Sequence, residues 1–379
     1  MLLMRFTPLT LAVCASASLY AGTQSPSATV EVAFVANAEA AEVAIVDVAA
    51  RSRIGSIAVN FADVESEGPG APNYAQDTDV SPDGRTMYVS RGYLGDVAAF
   101  DIGSGRPQWT RPLNTMRADH MTLSRDGRTL FVSAFVDNRV YRLDTETGGI
   151  TGHFASGIFP HDIKISKDGT RLFNSSLGQM PSFAVPASMK PLEKPDVPIQ
   201  LTVADAATLA IRDRIPMDMA MRPWHFNAAE TGIYAELSNS HAVVFYDLAA
   251  RKVTRRLDLP VKPGITAKDW DFEAPIHGLA LTDDGATLCL ASRASDYAAL
   301  IRASDLSLIA TVPVGDGPGW SEIADGGRTC LVANTRSDDL SFVSIADRKE
   351  IARIPIGNGP KHITVTRLPA SVVEAVKAR

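Results

Sequence analysis

A short phrase recurs along this chain, in which an Asp-Gly turn joins two runs of alternating apolar residues. Five clear copies and one degraded copy read DTDVSPDGRTMYVS, DHMTLSRDGRTLFVS, PHDIKISKDGTRLFNS, HGLALTDDGATLCLAS, WSEIADGGRTCLVAN and HFNAAETGIYAELS. The turn glycines of these copies, spaced about 40 to 60 residues apart, are Gly84, Gly127, Gly169, Gly232, Gly285 and Gly327. An Asp-Gly pair between alternating runs is typical of a tight β-hairpin. The chain is therefore predicted to repeat one antiparallel unit.

Each hairpin is followed by two further strands, so that one unit contains four. The third strands include VAAFDI, VYRLDT and VVFYDL, and the fourth strands include SLIATVPVG and KEIARIPIG. Four short strands with their turns are what one blade of a β-propeller needs. Six such units follow one another from the first turn onward.

The two ends of the chain supply a seventh unit. Residues 30–59 contain a second, third and fourth strand without a first, and residues 360–369 contain the missing one. Pairing these segments closes the ring and removes two exposed sheet edges. We therefore predict an all-β fold, a seven-bladed β-propeller forming a single domain over residues 30–369. The C-terminal strand pairs with the N-terminal blade, and residues 370–379 form a short tail.

Several phrases also resemble a known repeat family. FVAN, LVAN, IPIGNGP, VPVGDGP and SPDGRTMYVS resemble the YVTN-type, YncE-like β-propeller repeat, and the resemblance spans residues 30–369. It implies an exported propeller, but lactonase-like, quinoprotein-associated and denitrification propellers share the repeat, so it selects no activity. The chain has no Cys-x-x-Cys-His for covalent haem, and it lacks the cysteines of the second copper domain of the denitrification enzyme. Function must be sought in a site.

The N-terminal residues predict export. Residues 1–21 read as a signal peptide, with Arg5 ahead of a short apolar run and small residues after it. Cleavage could follow Ala17 or Ala21, and Cys14 leaves lipid attachment as an alternative. No other run is long and apolar enough to span a bilayer. The mature protein is expected to be periplasmic or secreted.

Charge and cysteines limit the partners and the cross-links. The formal net charge is -6, without a dense cluster of basic residues, which argues against nucleic acid as a partner. Cys289 and Cys330 fall on predicted strands of neighbouring repeats, one place out of register. A disulfide is allowed in an exported protein. We expect two buried free thiols instead.

Five of the seven histidines occupy one place in the repeat, where the first strand of a unit begins. They are His120, His161, His225, His277 and His362. The first strands of a propeller surround its central channel, so these residues should converge at one end, which we call the mouth. Neutral imidazoles around an axis suit copper, zinc or iron. The five histidines are therefore candidate metal ligands.

The alternation of side chains limits how many histidines can share one centre. His161 and His277 have the parity of the inward apolar residues of their strands, whereas the other three have the opposite parity. Parity can fail where the backbone leaves a loop, so the number remains open. The alternative is that each histidine satisfies a turn or fills the channel mouth.

Other side chains are predicted at the same mouth. The candidate ligand-binding residues are Arg91, Trp224, Arg293, Tyr297 and Trp320. Arg91 and Arg293 could hold a carboxylate or phosphate, or they could pair with neighbouring acids. Asp119 beside His120 and Asp162 beside His161 could orient the imidazoles or cap turns.

Three insertions point to the same end of the propeller. Residues 60–76, 177–200 and 260–276 lengthen connections that should emerge where the histidines begin. Functional loops collect at one end of a rigid frame, so the mouth is the predicted site.

Three functions fit these features. The first is an exported propeller that binds a small ligand or a transition metal at the mouth. The second is a metal-dependent hydrolase, lyase or oxidoreductase at the same mouth. The third is an interaction scaffold for a periplasmic protein partner such as a dehydrogenase. The residues name no substrate.

Overall fold

The computed structural model describes residues 28–66, 68–113, 115–185 and 189–379. These residues form seven four-stranded antiparallel sheets and one α-helix. The predicted signal peptide, residues 1–21, lies outside the described ranges. Within those ranges no helix has the length and apolar character needed to cross a bilayer.

Each sheet is one blade, and its strands are consecutive except in the first. The first blade contains β1 (Thr29–Asn37), β2 (Glu42–Asp47), β3 (Ser52–Ala58) and β28 (Pro360–Pro369). The second to fourth blades contain β4 (Asp77–Val80), β5 (Thr86–Ser90), β6 (Asp96–Asp101), β7 (Pro107–Pro112), β8 (Ala118–Leu123), β9 (Thr129–Ala134), β10 (Arg139–Asp144), β11 (Ile150–Ala155), β12 (Pro160–Ile165), β13 (Arg171–Ser176), β14 (Gln200–Asp205) and β15 (Ile211–Pro216). The fifth to seventh blades contain β16 (Met221–Phe226), β17 (Gly232–Leu237), β18 (Ala242–Asp247), β19 (Lys252–Asp258), β20 (Leu279–Leu281), β21 (Thr287–Ser292), β22 (Tyr297–Arg302), β23 (Ser307–Pro313), β24 (Pro318–Ala324), β25 (Thr329–Asn334), β26 (Asp339–Ser344) and β27 (Lys349–Pro355).

The innermost strands form a closed ring around the channel. They contact one another in the order β4, β8, β12, β16, β20, β24 and β28, and β28 contacts β4. β28 pairs antiparallel with β1 along its whole length, for example Ile363 opposite Val35. The predicted seven-bladed, all-β fold and its closure by the C-terminal strand are confirmed.

The turn glycines adopt the left-handed conformation that the Asp-Gly turn needs. Gly84 has φ 67° and Gly127 has φ 72°. In the degraded copy that conformation belongs to Glu230, with φ 53°, and Gly232 is the first residue of β17. The assignment of Gly232 as a turn glycine is therefore wrong. Gly232 is needed for space, because a Cβ there would lie 2.2 Å from the ring of Phe245.

The expectation of two free thiols is also wrong. Cys289 on β21 and Cys330 on β25 form a disulfide between the sixth and seventh blades, with Cα atoms 6.4 Å apart. Adjacent blades stack face to face, so residues that meet across the interface have opposite parity on equivalent strands. The one-residue offset between the two cysteines therefore brings them together.

Apolar cores lie between neighbouring blades rather than at one centre. In one of them Phe173 of the fourth blade packs edge-on against Phe226 of the fifth, with ring centroids 4.9 Å apart. The segment expected as a tail contains a helix, α1 (Ala370–Lys377). Its buried Val376 packs on the first blade, where a Cβ on Gly55 would lie 2.7 Å from the Val376 Cγ1.

Candidate functional site at the channel mouth

The inner strands are irregular where their histidines lie. The pairing of β8 with β9 shifts register between Ala118 and Met121, which brackets His120. The pairing of β12 with β13 shifts between Pro160 and Ile163, in the same way, around His161. A bulge at the start of a strand re-aims its side chains, so parity does not separate these histidines.

Four of the five predicted histidines cluster with Trp320. The ring centroid of His120 lies 4.6 Å from that of His161 and 5.5 Å from that of His362, and the centroids of His161 and His277 are 6.1 Å apart. The Trp320 ring lies 4.1 Å from His362 and 5.3 Å from His120. All five side chains are buried. These rings form an aromatic layer across the channel beneath the mouth, on its side toward the channel interior.

The structure places two other predicted residues of the fifth blade elsewhere. His225 is half-buried, and its Nδ1 lies 2.7 Å from the backbone oxygen of Phe226. Trp224 is fully buried in the core between the fourth and fifth blades, 5.0 Å from the Phe226 ring. Burial, followed by the charge of Lys164, lowers the pKa of His225 to about 4.

Arg91 and Tyr297 direct their polar groups to other parts of the protein. The Arg91 Nε donates to Asp96 Oδ1 at 2.6 Å, and its Nη1 donates to the backbone oxygen of Val59 at 2.8 Å. The Tyr297 hydroxyl donates to the backbone oxygen of Pro260 at 2.6 Å. Both residues hold loops at the mouth in place.

Asp119, His120 and His161 could hold a metal ion. Each offers one ligand atom, and these three atoms lie within 4.8 Å of one another. The His120 Nε2 is 3.8 Å from Asp119 Oδ1. Among the residues that the structure describes, His120 Nε2, His161 Nδ1 and Asp119 Oδ2 find no hydrogen-bond partner, although the Arg117 guanidinium lies 3.2 Å from that Oδ2. Buried polar atoms without partners are rare, and a bound ion is one explanation of them.

Asp77 contacts two of the imidazoles, one in each neighbouring blade. Its Oδ2 is 3.2 Å from His120 Nδ1 and accepts the Met121 N–H at 2.8 Å, and its Oδ1 is 2.9 Å from His362 Nδ1. Burial alone raises the pKa of Asp77, but His362 and His120 lower it more, so it stays well below its usual value. An ionised Asp77 favours the proton on His120 Nδ1, which leaves the lone pair on Nε2. Asp77, His120 and His362 form a second, overlapping group of possible metal ligands.

The imidazoles differ in their affinity for a proton. Burial, together with the charges of His120 and Arg117, holds the pKa of His161 well below its usual value. Burial also lowers the pKa of His120, but its hydrogen bond with Asp77 and the nearby Asp119 carboxylate raise it overall. His161 is therefore neutral near pH 7 and offers a lone pair, whereas His120 must lose a proton more often before it can bind a metal.

The Asp162 carboxylate forms no hydrogen bond with the neighbouring His161 ring. Its Oδ2 accepts the backbone N–H of Trp224 at 3.0 Å, and its Oδ1 lies 3.5 Å from the Lys164 Nζ. Asp162 therefore holds two adjacent inner strands together.

A cavity of about 310 Å³ opens above the cluster. His161 and His277 line it, and all three sequence insertions reach it as predicted, through Pro72, Met180 and Phe272 among others. Among the described residues, five cationic side chains and two acidic ones, Glu39 and Asp271, also line it. The cations are Arg117, Arg222, Arg293, Arg336 and Lys361.

Burial and repulsion between neighbouring cations lower the pKa values of Arg222 and Lys361. Burial lowers the pKa of Arg222 to about 9, with Glu273 opposing the change and Arg117 and Arg293 adding to it. Burial, then Arg117 and Arg293, lower the pKa of Lys361 to about 7. Repulsion among the cations lowers both pKa values, as expected where cationic side chains outnumber acidic ones among the described lining residues.

The sequence carried a signal for two of these cations that was missed. Arg117 and Arg222 precede the first-strand histidine in two matching phrases, MRADH and MRPWH. The repeat thus places an arginine at the mouth in both of these blades.

A second cavity, of about 290 Å³, lies farther along the channel. His120, Trp320 and His362 line it, together with Asp79 and Glu322 from later positions of the inner strands. Burial, followed by the Asp77 charge, raises the pKa of Asp79 to about 7, and burial raises that of Glu322 to about 7. The aromatic layer thus separates a cationic cavity from one lined by carboxyl groups.

Comparison with known proteins shows the fold. No protein-family model matches the sequence, and no curated protein matches it. The solved structure of Kuenenia stuttgartiensis hydrazine synthase is similar, with a TM-score of 0.64 over 82% of this chain and 91% of that chain. The two sequences are 18% identical, so the likeness concerns the propeller architecture alone.

Proposed function

We propose that this propeller binds a transition-metal ion at its mouth through Asp119, His120 and His161. The observation that carries the proposal is the set of three buried ligand atoms within 4.8 Å of one another. One atom of each residue also lacks a hydrogen bond within the described ranges. Asp77 supports the proposal because it fixes the His120 ring with Nε2 toward Asp119 and His161.

The donor set indicates the class of metal. Two imidazole nitrogens and one carboxylate oxygen suit zinc, ferrous iron and copper, and they leave coordination positions for water or a ligand. When bound, such an ion supplies Lewis acidity or a redox centre. Calcium and magnesium prefer more oxygen ligands than this group offers.

Removing one ligand tests the proposal. We expect the purified protein to bind one equivalent of zinc, iron or copper, and His161→Ala to weaken the affinity by at least about a hundredfold. The matched control is His153→Ala, because His153 is exposed on the outer strand β11. Competition against a chromogenic chelator, with elemental analysis of the purified protein, measures both. The proposal fails if no transition metal binds, or if the two variants bind it equally well.

A metal-dependent enzyme is the second candidate, and one observation favours it. His161 belongs to the ligand group and also lines the cavity of about 310 Å³, so a substrate in that cavity would lie beside the metal. Metal-dependent turnover of a lactone, phenol or amine that disappears in His161→Ala would establish an enzyme. Tight metal binding without turnover on these panels would favour a binding protein.

We also infer that the chain is an exported member of the YVTN-type propellers. Its repeated phrases support the family, and the Cys289–Cys330 disulfide is compatible with an extracellular compartment. Expression with residues 1–21 intact, followed by N-terminal sequencing of the periplasmic fraction, tests export. An uncleaved protein that remains in the cytoplasm would contradict it.

A further inference from the structure

We propose that the cationic cavity is a second binding site, which takes a small molecule carrying two negative charges through Arg222 and Arg293. The ligand class is a dicarboxylate or a phosphate. This site lies beside the proposed metal site and does not depend on a metal for its binding energy.

Arg293 is the strongest indication of an anion-binding site. Arg293 is only 9% exposed. Among the described residues, no carboxylate lies within 4.0 Å of its guanidinium, and the guanidinium donates no hydrogen bond to them. It lines the cavity, and Gly319 leaves room for it, since a Cβ there would lie 3.1 Å from its Nη2. A largely buried guanidinium without protein partners is available to an anion that enters the cavity and replaces water there.

The equivalent arginine of another blade shows what pairing at this position looks like. Arg91 follows its second strand as Arg293 does, and it binds the next strand's Asp96 at 2.6 Å. The corresponding acid in the sixth blade is Asp296, which instead contacts Lys262 at 2.7 Å and accepts the Gly317 N–H at 3.0 Å. Arg293 is therefore released from its local acid and faces the cavity.

Arg222 is also poorly satisfied. It is 4% exposed, and its Nε has no hydrogen-bond partner among the described residues. Its other nitrogens contact the Met180 sulfur at 3.4 Å and the backbone oxygen of Phe272. Among the described residues its one ion pair is with Glu273, at 3.9 Å. Arg293 thus keeps its guanidinium nitrogens for an oxyanion, which a planar guanidinium binds in a bidentate manner, and Arg222 adds a second positive charge beside it.

The charge balance and the size of the cavity set the ligand class. Arg336 is matched by Asp271 at 2.9 Å and Asp316 at 3.1 Å, and Arg117 is matched by Asp119. Of the described cations this leaves Arg293, Arg222 with its long ion pair to Glu273, and Lys361, while Glu39 also lines the cavity. Arg293 has no acidic partner among the described residues, and Arg222 has only a long ion pair with Glu273, so the two guanidinium groups together favour a ligand with two negative charges. A volume of about 310 Å³ is at the small end of ligand pockets, which favours a small metabolite over a cofactor.

Calorimetric titration of protein freed of metal over a chelating resin, in a buffer without carboxylate or phosphate, tests this site without a metal. The probes are inorganic phosphate and succinate, with acetate as the singly charged control. We expect saturable binding of at least one dianion, at least about tenfold tighter than acetate. Tighter binding of phosphate or of succinate identifies which oxyanion the site prefers. Binding of neither dianion would overturn the proposal and leave the metal proposal untouched.

Variants assign the binding to this cavity. Arg293→Gln is expected to weaken dianion binding at least about tenfold. Arg293→Lys is expected to weaken it less, because lysine keeps the positive charge but lacks the paired N–H donors of a guanidinium. Arg302→Gln is the matched control, because Arg302 is exposed at the opposite end of the same blade. If Arg293→Gln does not fold, Arg293→Lys and Arg222→Lys carry the test. Dianion affinity equal to that of Arg302→Gln in these variants would overturn the proposal.

Discussion

At the scale of single residues, the partners of a side chain decide its chemistry. The repeat pattern predicted five histidines at one mouth, and the structure brings four of them together there with Trp320. It did not predict that Asp77 of the second blade contacts His120 and His362 of the third and first blades. Such a contact joins residues of different repeats, and a local sequence pattern carries no information about it.

Asp77 is expected to strengthen metal binding through His120. Asp77→Asn removes the charge that favours the proton on His120 Nδ1, so we expect metal affinity to fall by about 10- to 100-fold. Asp347→Asn, at an exposed turn, is the control. Competition titration with the same chelator measures the change. Equal affinity in the two variants would show that Asp77 does not position the ligand.

Glu236 is expected to make stability fall as pH rises. Burial raises its pKa well above the usual value, and among the described residues only the Gly278 N–H, at 3.0 Å from Oε2, hydrogen-bonds its carboxyl group. The folded state therefore keeps a proton that the unfolded chain releases above about pH 4.3, so stability is lost above that pH. Glu236→Gln removes the effect.

Urea unfolding of the wild type and Glu236→Gln at two pH values tests this. We expect the variant to be the more stable near about pH 8, by about 1.4 kcal/mol for each unit by which burial raises the pKa, and to lose this advantage near about pH 4. A variant that is less stable than the wild type at the higher pH would contradict the argument.

At the scale of strands and turns, alternating apolar residues and Asp-Gly turns predicted the hairpins. Three features of the structure were not predicted. The bulges at β8 and β12 arise from register with their neighbours, and parity could not foresee them. The turn at Glu230 lacks the glycine that marks the other copies. The disulfide depends on how one blade faces the next.

The Cys289–Cys330 disulfide is expected to stabilise the interface between the sixth and seventh blades. The two cysteines are 41 residues apart in the chain, and a cross-link of that span raises the free energy of unfolding by about 2 to 4 kcal/mol. Replacing both by alanine should lower the urea midpoint by the corresponding amount, and dithiothreitol should then have no further effect. Thiol titration of the unfolded wild type that finds both cysteines free would contradict the cross-link.

At the scale of the whole molecule, closure of the ring gathers the site. The sequence predicted the closure because an open propeller would expose two edges. It did not predict the excess of cations in the cavity, because that excess depends on which acids are already paired, as Asp296 is with Lys262.

Truncation separates ring closure from the packing of α1. Removing residues 360–379 deletes β28 and leaves β1 without its inner neighbour, so we expect aggregation or loss of cooperative unfolding. Removing residues 370–379 deletes only α1 and should leave a folded monomer with a lower melting temperature. Size-exclusion chromatography and thermal melts distinguish these outcomes. A monomeric longer truncation with unchanged melting would show that β28 does not close the ring.

Anomalous diffraction from crystals of the metal-loaded protein tests the central claim most directly. The wild type should show one strong peak at the absorption edge of the bound metal, within bonding distance of His120 Nε2, His161 and the Asp119 carboxylate. Crystals of His161→Ala grown with the same metal should lose that peak. A peak away from these three residues, or a mouth without a peak in a protein that binds metal in solution, would contradict the account.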